Sequence, residues 1–99
     1  MVTDPSSPSA TPQHQPERHR FVYVREDGEA ELTYHLDPAG ALVVDHTFVP
    51  DAWRGQGIAA LLMGACVDHA IAQGLKVVPR CSYAAVFLDR HPELAERVS

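Results

Sequence analysis

The stretch His46-Thr47-Phe48-Val49-Pro50-Asp51-Ala52-Trp53-Arg54-Gly55-Gln56-Gly57-Ile58-Ala59-Ala60-Leu61-Leu62 passes from a β-branched run, through a proline, an arginine and two glycines, into a long apolar segment. Pro50 cannot donate to a strand ladder, so the run before it ends there. From Ile58 to Gln73 the only strongly polar side chains are Asp68, His69 and Gln73, and the segment is too long for a strand. The pattern predicts a largely buried helix over residues 58–73, stopped by Gly74. Leu75-Lys76-Val77-Val78-Pro79 then predicts a short strand. Strand, helix and strand in this order imply a right-handed crossover, which places Val77 parallel to the strand before the loop.

Upstream, Phe21-Val22-Tyr23-Val24 is a strand signal followed by the turn dipeptide Asp27-Gly28. Ala30, Leu32, Tyr34 and Leu36 alternate with Glu31, Thr33 and His35, the period of a strand with one face buried. Asp37-Pro38-Ala39-Gly40 is a second turn, and Ala41 to Val49 reads as the third strand of an antiparallel meander. Downstream, Ser82 is positioned to cap a short helix through Phe87 and Leu88, ended by His91-Pro92. Residues 93–99 carry no clear signal. Residues 1–17 hold four prolines, three serines and two threonines without an aromatic, Leu or Ile, which predicts a disordered arm. The expected domain is therefore residues 18–99, of the α/β class, with a mixed sheet: a meander plus one parallel strand after a crossover helix, and a short C-terminal helix.

The loop has the chemistry of an anion cradle. Gly55 and Gly57 allow close backbone approach, the free amides at the start of the helix point outward, and Arg54 adds a charge. No Gly-Lys-Ser/Thr follows, so it is not a Walker loop, and the spacing is not that of the dinucleotide fingerprint Gly-x-Gly-x-x-Gly. Taken alone, the same residues describe equally well a glycine-containing connection with a surface arginine.

Arg54-Gly55-Gln56-Gly57-Ile58-Ala59 resembles the Arg/Gln-x-x-Gly-x-Gly/Ala motif of the GNAT superfamily of N-acetyltransferases, in the matching context between a strand and a buried helix. With His46-Thr47-Phe48-Val49-Pro50, Val78-Pro79-Arg80-Cys81-Ser82-Tyr83 and Arg90-His91-Pro92-Glu93, it resembles the compact, YjdJ-like branch of that superfamily over roughly residues 20–95. The resemblance implies a minimal GNAT fold that binds acetyl-coenzyme A and transfers the acetyl group to a primary amine, on a small molecule or a protein lysine. It implies that Arg54, Gly55, Gln56, Gly57, Ile58 and Ala59 hold the pyrophosphate and that Phe48 and Val49 line the pantetheine arm. It also implies a catalytic Cys81. The larger GNAT enzymes carry further elements that shape the acceptor pocket, and this chain has no residues for them.

Cys81 lies just after the last strand and before the expected cap, where a helix N-terminus and Arg80 favour the thiolate. It can act as a nucleophile or support direct attack of the amine; the structural alternative is a small apolar residue at a strand end. Cys66 sits in an apolar helix setting and reads as core. His46 suits a base near neutral pH or a cross-strand hydrogen bond, and receives no role. His69 is accounted for at the helix end, and His35 and His91 complete no metal-ligand spacing. Tyr83 can protonate a departing thiolate, yet with Phe87 four residues on it reads as core.

With 13 acidic against 8 basic side chains and a net charge of −5, the chain lacks the clustered cations that nucleic acid or an anionic membrane requires. No apolar run reaches the roughly 20 residues of a membrane span, and no signal peptide opens the sequence. A cytoplasmic protein with two reduced thiols and no metal is expected. Two other readings remain open at this level: a non-catalytic acyl-coenzyme A binding or interaction module, and a phosphate or nucleotide sensor resting on the cradle alone.

Overall fold

The computed structural model describes residues 12–99. Five strands form one sheet: β1 Gln13–Gln15, β2 Arg20–Arg25, β3 Gly28–Leu36, β4 Leu42–Phe48 and β5 Val77–Pro79, lying in that order. The first four are antiparallel neighbours, and β5 runs parallel to β4. Helix α1 spans Ile58–Gln73 and makes the expected crossover; α2 Ser82–Arg90 and α3 Pro92–Arg97 follow β5. Among the described residues no helix is long and apolar enough to cross a membrane.

The predicted alternation in β3 holds at Ala30, Leu32 and Tyr34, which are buried, whereas Leu36 is 50% exposed beyond the reach of the helices. The inner face of the sheet packs against Leu62, Met63, Cys66, Val67 and Ala70 of α1, all fully buried. Each such aliphatic side chain contributes about 1.5–3 kcal/mol by leaving water. Helix α1 is less buried than its composition suggests: Leu61 on the opposite side is 40% exposed, so one stripe of the helix meets the core. Its end is set locally. Gly74 is left-handed at φ 70°, and the amide of Leu75 donates to the Ala70 carbonyl at 2.8 Å, closing the last turn.

The ordered chain begins earlier than composition predicts. Residues 1–11 of the expected arm lie outside the described residues, but Gln13–Gln15 form an edge strand and Pro16–Arg18 a single 3-10 turn. A strand needs backbone partners more than apolar side chains, and β2 supplies them. His14 is the anchor. Its ring stacks on Phe21 at 4.2 Å, lies 4.3 Å from the ring of His69 on α1, and shares a 2.6 Å hydrogen bond with the Tyr34 hydroxyl. His69 therefore helps to seat β1, a task beyond covering a helix end.

Burial, then the neighbouring His69, hold the His14 pKa below its ordinary value; Glu17 acts in the opposite sense and His19 in the same one. The unfolded or detached strand thus binds the proton more readily than the docked one. The stabilisation is complete above the ordinary histidine pKa and is lost as pH falls below it. Amides of residues 13–15 and 20–22 should lose exchange protection between about pH 7.5 and about pH 5.5, and His14→Phe should flatten that dependence. Protection that ignores pH after correction for intrinsic exchange would refute this account.

The C-terminal segment, for which the sequence carried no signal, folds as α3 and returns to the sheet. Val98 is buried at 1% exposure, and its carbonyl accepts the Val77 amide at 2.8 Å, so the end of the chain covers the edge of β5.

Candidate functional site

β4 and β5 pair only through Leu42–Val44 and Val77–Pro79, and then diverge. The amides of Arg80 and Cys81 both donate to the Val44 carbonyl at 3.1 Å, turning the chain away into α2. β4 continues to Phe48 with no strand on that side. Its register against β3 slips by one residue, from Tyr34↔Val44 to Thr33↔His46, leaving Asp45 as a bulge. Beyond the bulge, Thr47 and Val49, on either side of Phe48, both line the gap.

The loop between β4 and α1 crosses the mouth of this gap. Gly55 and Gly57 have φ values of 83° and 77°, in the left-handed region, and a Cβ on either would project into open space. Gly57 caps α1 without any side-chain hydrogen bond, so the first amides of the helix are left to a ligand. Arg54 is exposed and its Nε lies 3.0 Å from Asp51 Oδ1. Trp53 anchors the loop: it is 3% exposed, donates Nε1–H to Asp27 Oδ2 at 3.3 Å, and carries the Arg25 guanidinium 4.9 Å from its ring. The tip of the β2–β3 hairpin thus clamps the residue preceding the cradle.

Cradle and gap form one cleft of about 380 Å³. Arg54, Gly55, Gly57, Ile58 and Ala59 line one end, while Thr47, Val49 and Tyr83 line the other. Two expected lining residues face elsewhere, and Cys81, the expected catalytic residue, stands beside the cleft and is not part of its lining. Phe48 pairs with Glu31 and its side chain, 50% exposed, does not line the cleft; neither does Gln56, which is exposed. A wider depression of about 630 Å³ between α2 and α3 is rimmed by Asp89, Glu93 and Glu96. Those carboxylates repel a phosphate ligand, so the smaller cleft is the candidate site despite its size.

Cys81 itself is the N-terminal cap of α2, and Ser82, the expected cap, begins the helix. The thiol is half-buried, with Sγ 3.6 Å from the Thr47 hydroxyl. Burial raises its pKa, but hydrogen bonds from the Ala84 amide, the Thr47 hydroxyl and the Tyr83 and Thr47 amides outweigh that and bring it below the ordinary thiol value. Arg80, expected to contribute, is exposed and takes no part. Cys66 is the opposite case: fully buried, its thiol is pushed up to about 12 and stays inert.

Tyr83, read from its spacing as core, lines the cleft while its ring rests against the core. Burial raises its phenol pKa, as does Cys81, with Arg90 acting to lower it, so at neutral pH the group is a proton donor. The strand period shows that Thr47 belongs to a strand, but its approach to Cys81 joins residues 34 positions apart, which no local pattern reveals. His46 lies exposed opposite Thr33 and takes no part in the cleft. Among the described residues no three His, Cys, Asp or Glu side chains are grouped to hold a metal.

A splayed parallel pair, a helix-capping anion loop across its mouth and a thiol at its vertex define an acyltransferase-type domain, and the chain belongs to the GCN5-related N-acetyl-transferase family, whose profile matches residues 20–98. Individual relatives agree. It is 36% identical over 92 residues to Protein NATD1 of Xenopus tropicalis, spanning 90% of this chain and 83% of that protein. The human Protein NATD1 is 36% identical over 85 residues, with 81% and 73% covered. A GCN5-like protein from Staphylococcus aureus, solved by NMR, superposes with a TM-score of 0.72 at 28% identity, covering 90% of this chain and 86% of the other.

Proposed function

We propose that the cleft binds acetyl-coenzyme A and that the domain transfers its acetyl group to a primary amine, borne by a small molecule or a protein lysine. One observation carries this reading: a single cleft joins Arg54 and the first residues of α1 to Thr47 and Tyr83, and Cys81 adjoins that lining through the 3.6 Å contact of its Sγ with the Thr47 hydroxyl. The amides and Arg54 suit a pyrophosphate, and the unpaired edge of β4 at Thr47 and Val49 suits the amide groups of a pantetheine arm. In this reading the backbone amide at Val49 polarises the thioester carbonyl.

In the transfer, the amine nitrogen bonds to the carbonyl carbon and the carbon–sulfur bond of the thioester breaks. The Cys81 thiolate accepts the proton that the amine releases, and the Tyr83 phenol gives one to the departing thiolate. The lowered thiol pKa enlarges the thiolate fraction able to accept that proton, and the Tyr83 phenol is held in its protonated form at neutral pH. We place the protein in the cytoplasm, where its two free thiols remain reduced.

Calorimetric titration with acetyl-coenzyme A tests the reading. The parent should bind saturably, and a folded variant carrying Arg54→Glu with Gly57→Asp should show no heat. The substituted chain would set two carboxylates against the pyrophosphate and force an L side chain into a left-handed cap. A folded parent that binds no acetyl-coenzyme A but binds ATP would overturn the reading in favour of a nucleotide site.

A further inference from the structure

Where β4 and β5 part, backbone pairing ends at Val44, and the next link across the gap is made by side chains: Thr47 Oγ1 from β4 and Cys81 Sγ at the cap of α2, 3.6 Å apart. We propose that Thr47 is a positioning residue for Cys81, its hydroxyl spanning the gap to hold the thiolate where the strands part, beside the cleft; this deepens the acetyltransferase reading and rests on it for its catalytic meaning.

Two features of the geometry support the assignment. First, the Thr47 amide as well as its hydroxyl meets the sulfur, so one residue supplies two of the donors that converge there, the others being the amides of Tyr83 and Ala84. A thiolate can only accept, so in the charged state the Thr47 hydroxyl must be the donor. Second, that hydroxyl is the one side-chain donor among them. The three amides are fixed by strand and helix and would remain after any substitution at Thr47, which makes the hydroxyl separable by experiment. The titratable group facing the thiol from α2 is Tyr83, itself held protonated; Arg80 is exposed, and Asp45 and His46 are exposed on β4. No neighbouring charge therefore substitutes for the hydroxyl.

The test is the rate of Cys81 alkylation by iodoacetamide as a function of pH, read by peptide mass on the full chain and on Thr47→Val and Thr47→Ser. Cys66 does not compete, because it is buried and its thiol is pushed up to about 12. Thr47→Val, which keeps the shape and suits a strand, should raise the midpoint by about one pH unit, slowing alkylation near neutral pH about tenfold. Thr47→Ser should restore the parent profile, which a loss of methyl packing would not permit. Should Thr47→Val fail to fold, Thr47→Ala takes its place. A Thr47→Val profile superimposable on the parent, or a Thr47→Ser profile as displaced as that of Thr47→Val, overturns the proposal. The alkylation result needs no coenzyme, so it is decided even if calorimetry rejects acetyl-coenzyme A.

Discussion

Replacing Cys81 with Ala is expected to lower acetyl transfer roughly 10²–10⁴-fold, the span over which a positioned proton-transfer group acts. Affinity for acetyl-coenzyme A should stay close to the parent, because Arg54, Gly55, Gly57, Ile58 and Ala59, the cleft residues proposed to hold the pyrophosphate, are unchanged. The fold should tolerate the change: the thiol is half-buried, and the cap position is held by the backbone of residue 81, whose amide meets the Val44 carbonyl and whose carbonyl accepts the Ala85 amide. Cys81→Ser should be nearly as inactive, since a hydroxyl in the same place does not ionise near neutral pH. Paired calorimetry and a transfer assay with a panel of primary amines check this. Transfer equal to the parent would remove Cys81 from the mechanism, and a mass increase of one acetyl group on Cys81 in the absence of acceptor would replace direct transfer by a covalent step. Tight binding with no transfer to any amine, by parent and variant alike, would instead establish a binding module.

Trp53→Ala should have the largest effect on stability, about 3–5 kcal/mol, as large aromatic-to-alanine changes in cores do. That is a sizeable part of the roughly 5–15 kcal/mol available to a small domain, and for a chain of this size it lowers the melting temperature by tens of degrees. The cost has identifiable sources: the 3% exposed ring, its edge contact with Tyr23, the cation of Arg25 on its face and the bond to Asp27. Because Trp53 precedes Arg54 in the chain, coenzyme binding should fall with it even below the melting point. Trp53→Phe separates the contributions in part, keeping an aromatic face for the cation while losing the 3.3 Å hydrogen bond and the outer ring atoms beside Gly28, for about 1–3 kcal/mol. Thermal melts of the two variants decide the matter. A Trp53→Ala protein that melts within a few degrees of the parent would show that the hairpin tip does not anchor the loop.

Much of the fold is legible along the chain because its signals are local. Helix α1 begins and ends where the glycines at 57 and 74 stand, and both adopt the left-handed backbone that glycine favours. The crossover places β5 beside β4 and parallel to it, as a strand–helix–strand succession predicts. The alternation at Ala30, Leu32 and Tyr34 sets the buried face of β3, while the first hairpin turn falls on residues 26 and 27, one position before the expected Asp27-Gly28, because Gly28 already pairs with Arg25. Six of the eight residues assigned to the coenzyme line the cleft, since a strand–glycine–helix junction carries its chemistry in consecutive positions.

What escaped is equally physical. Gln13–Gln15 is polar and flanked by prolines, and it becomes a strand because His14 finds Phe21, Tyr34 and His69, which lie far from it in sequence. The same holds for Val98, buried only once β5 is there to receive it. Tyr83 has the spacing of a core residue and is placed at the cleft by the angle at which α2 leaves the sheet.

By itself, then, the sequence determined the order of strands and helices, the anion loop and its family, because periodicity, turn chemistry and a contiguous motif act over a few residues. The tertiary structure alone decided that one cleft runs from that loop to Thr47 and Tyr83, and that Thr47 meets Cys81 beside it. Those relations depend on a bulge and on the divergence of two strands, and the chain has no local pattern that encodes a distance between residues 34 positions apart.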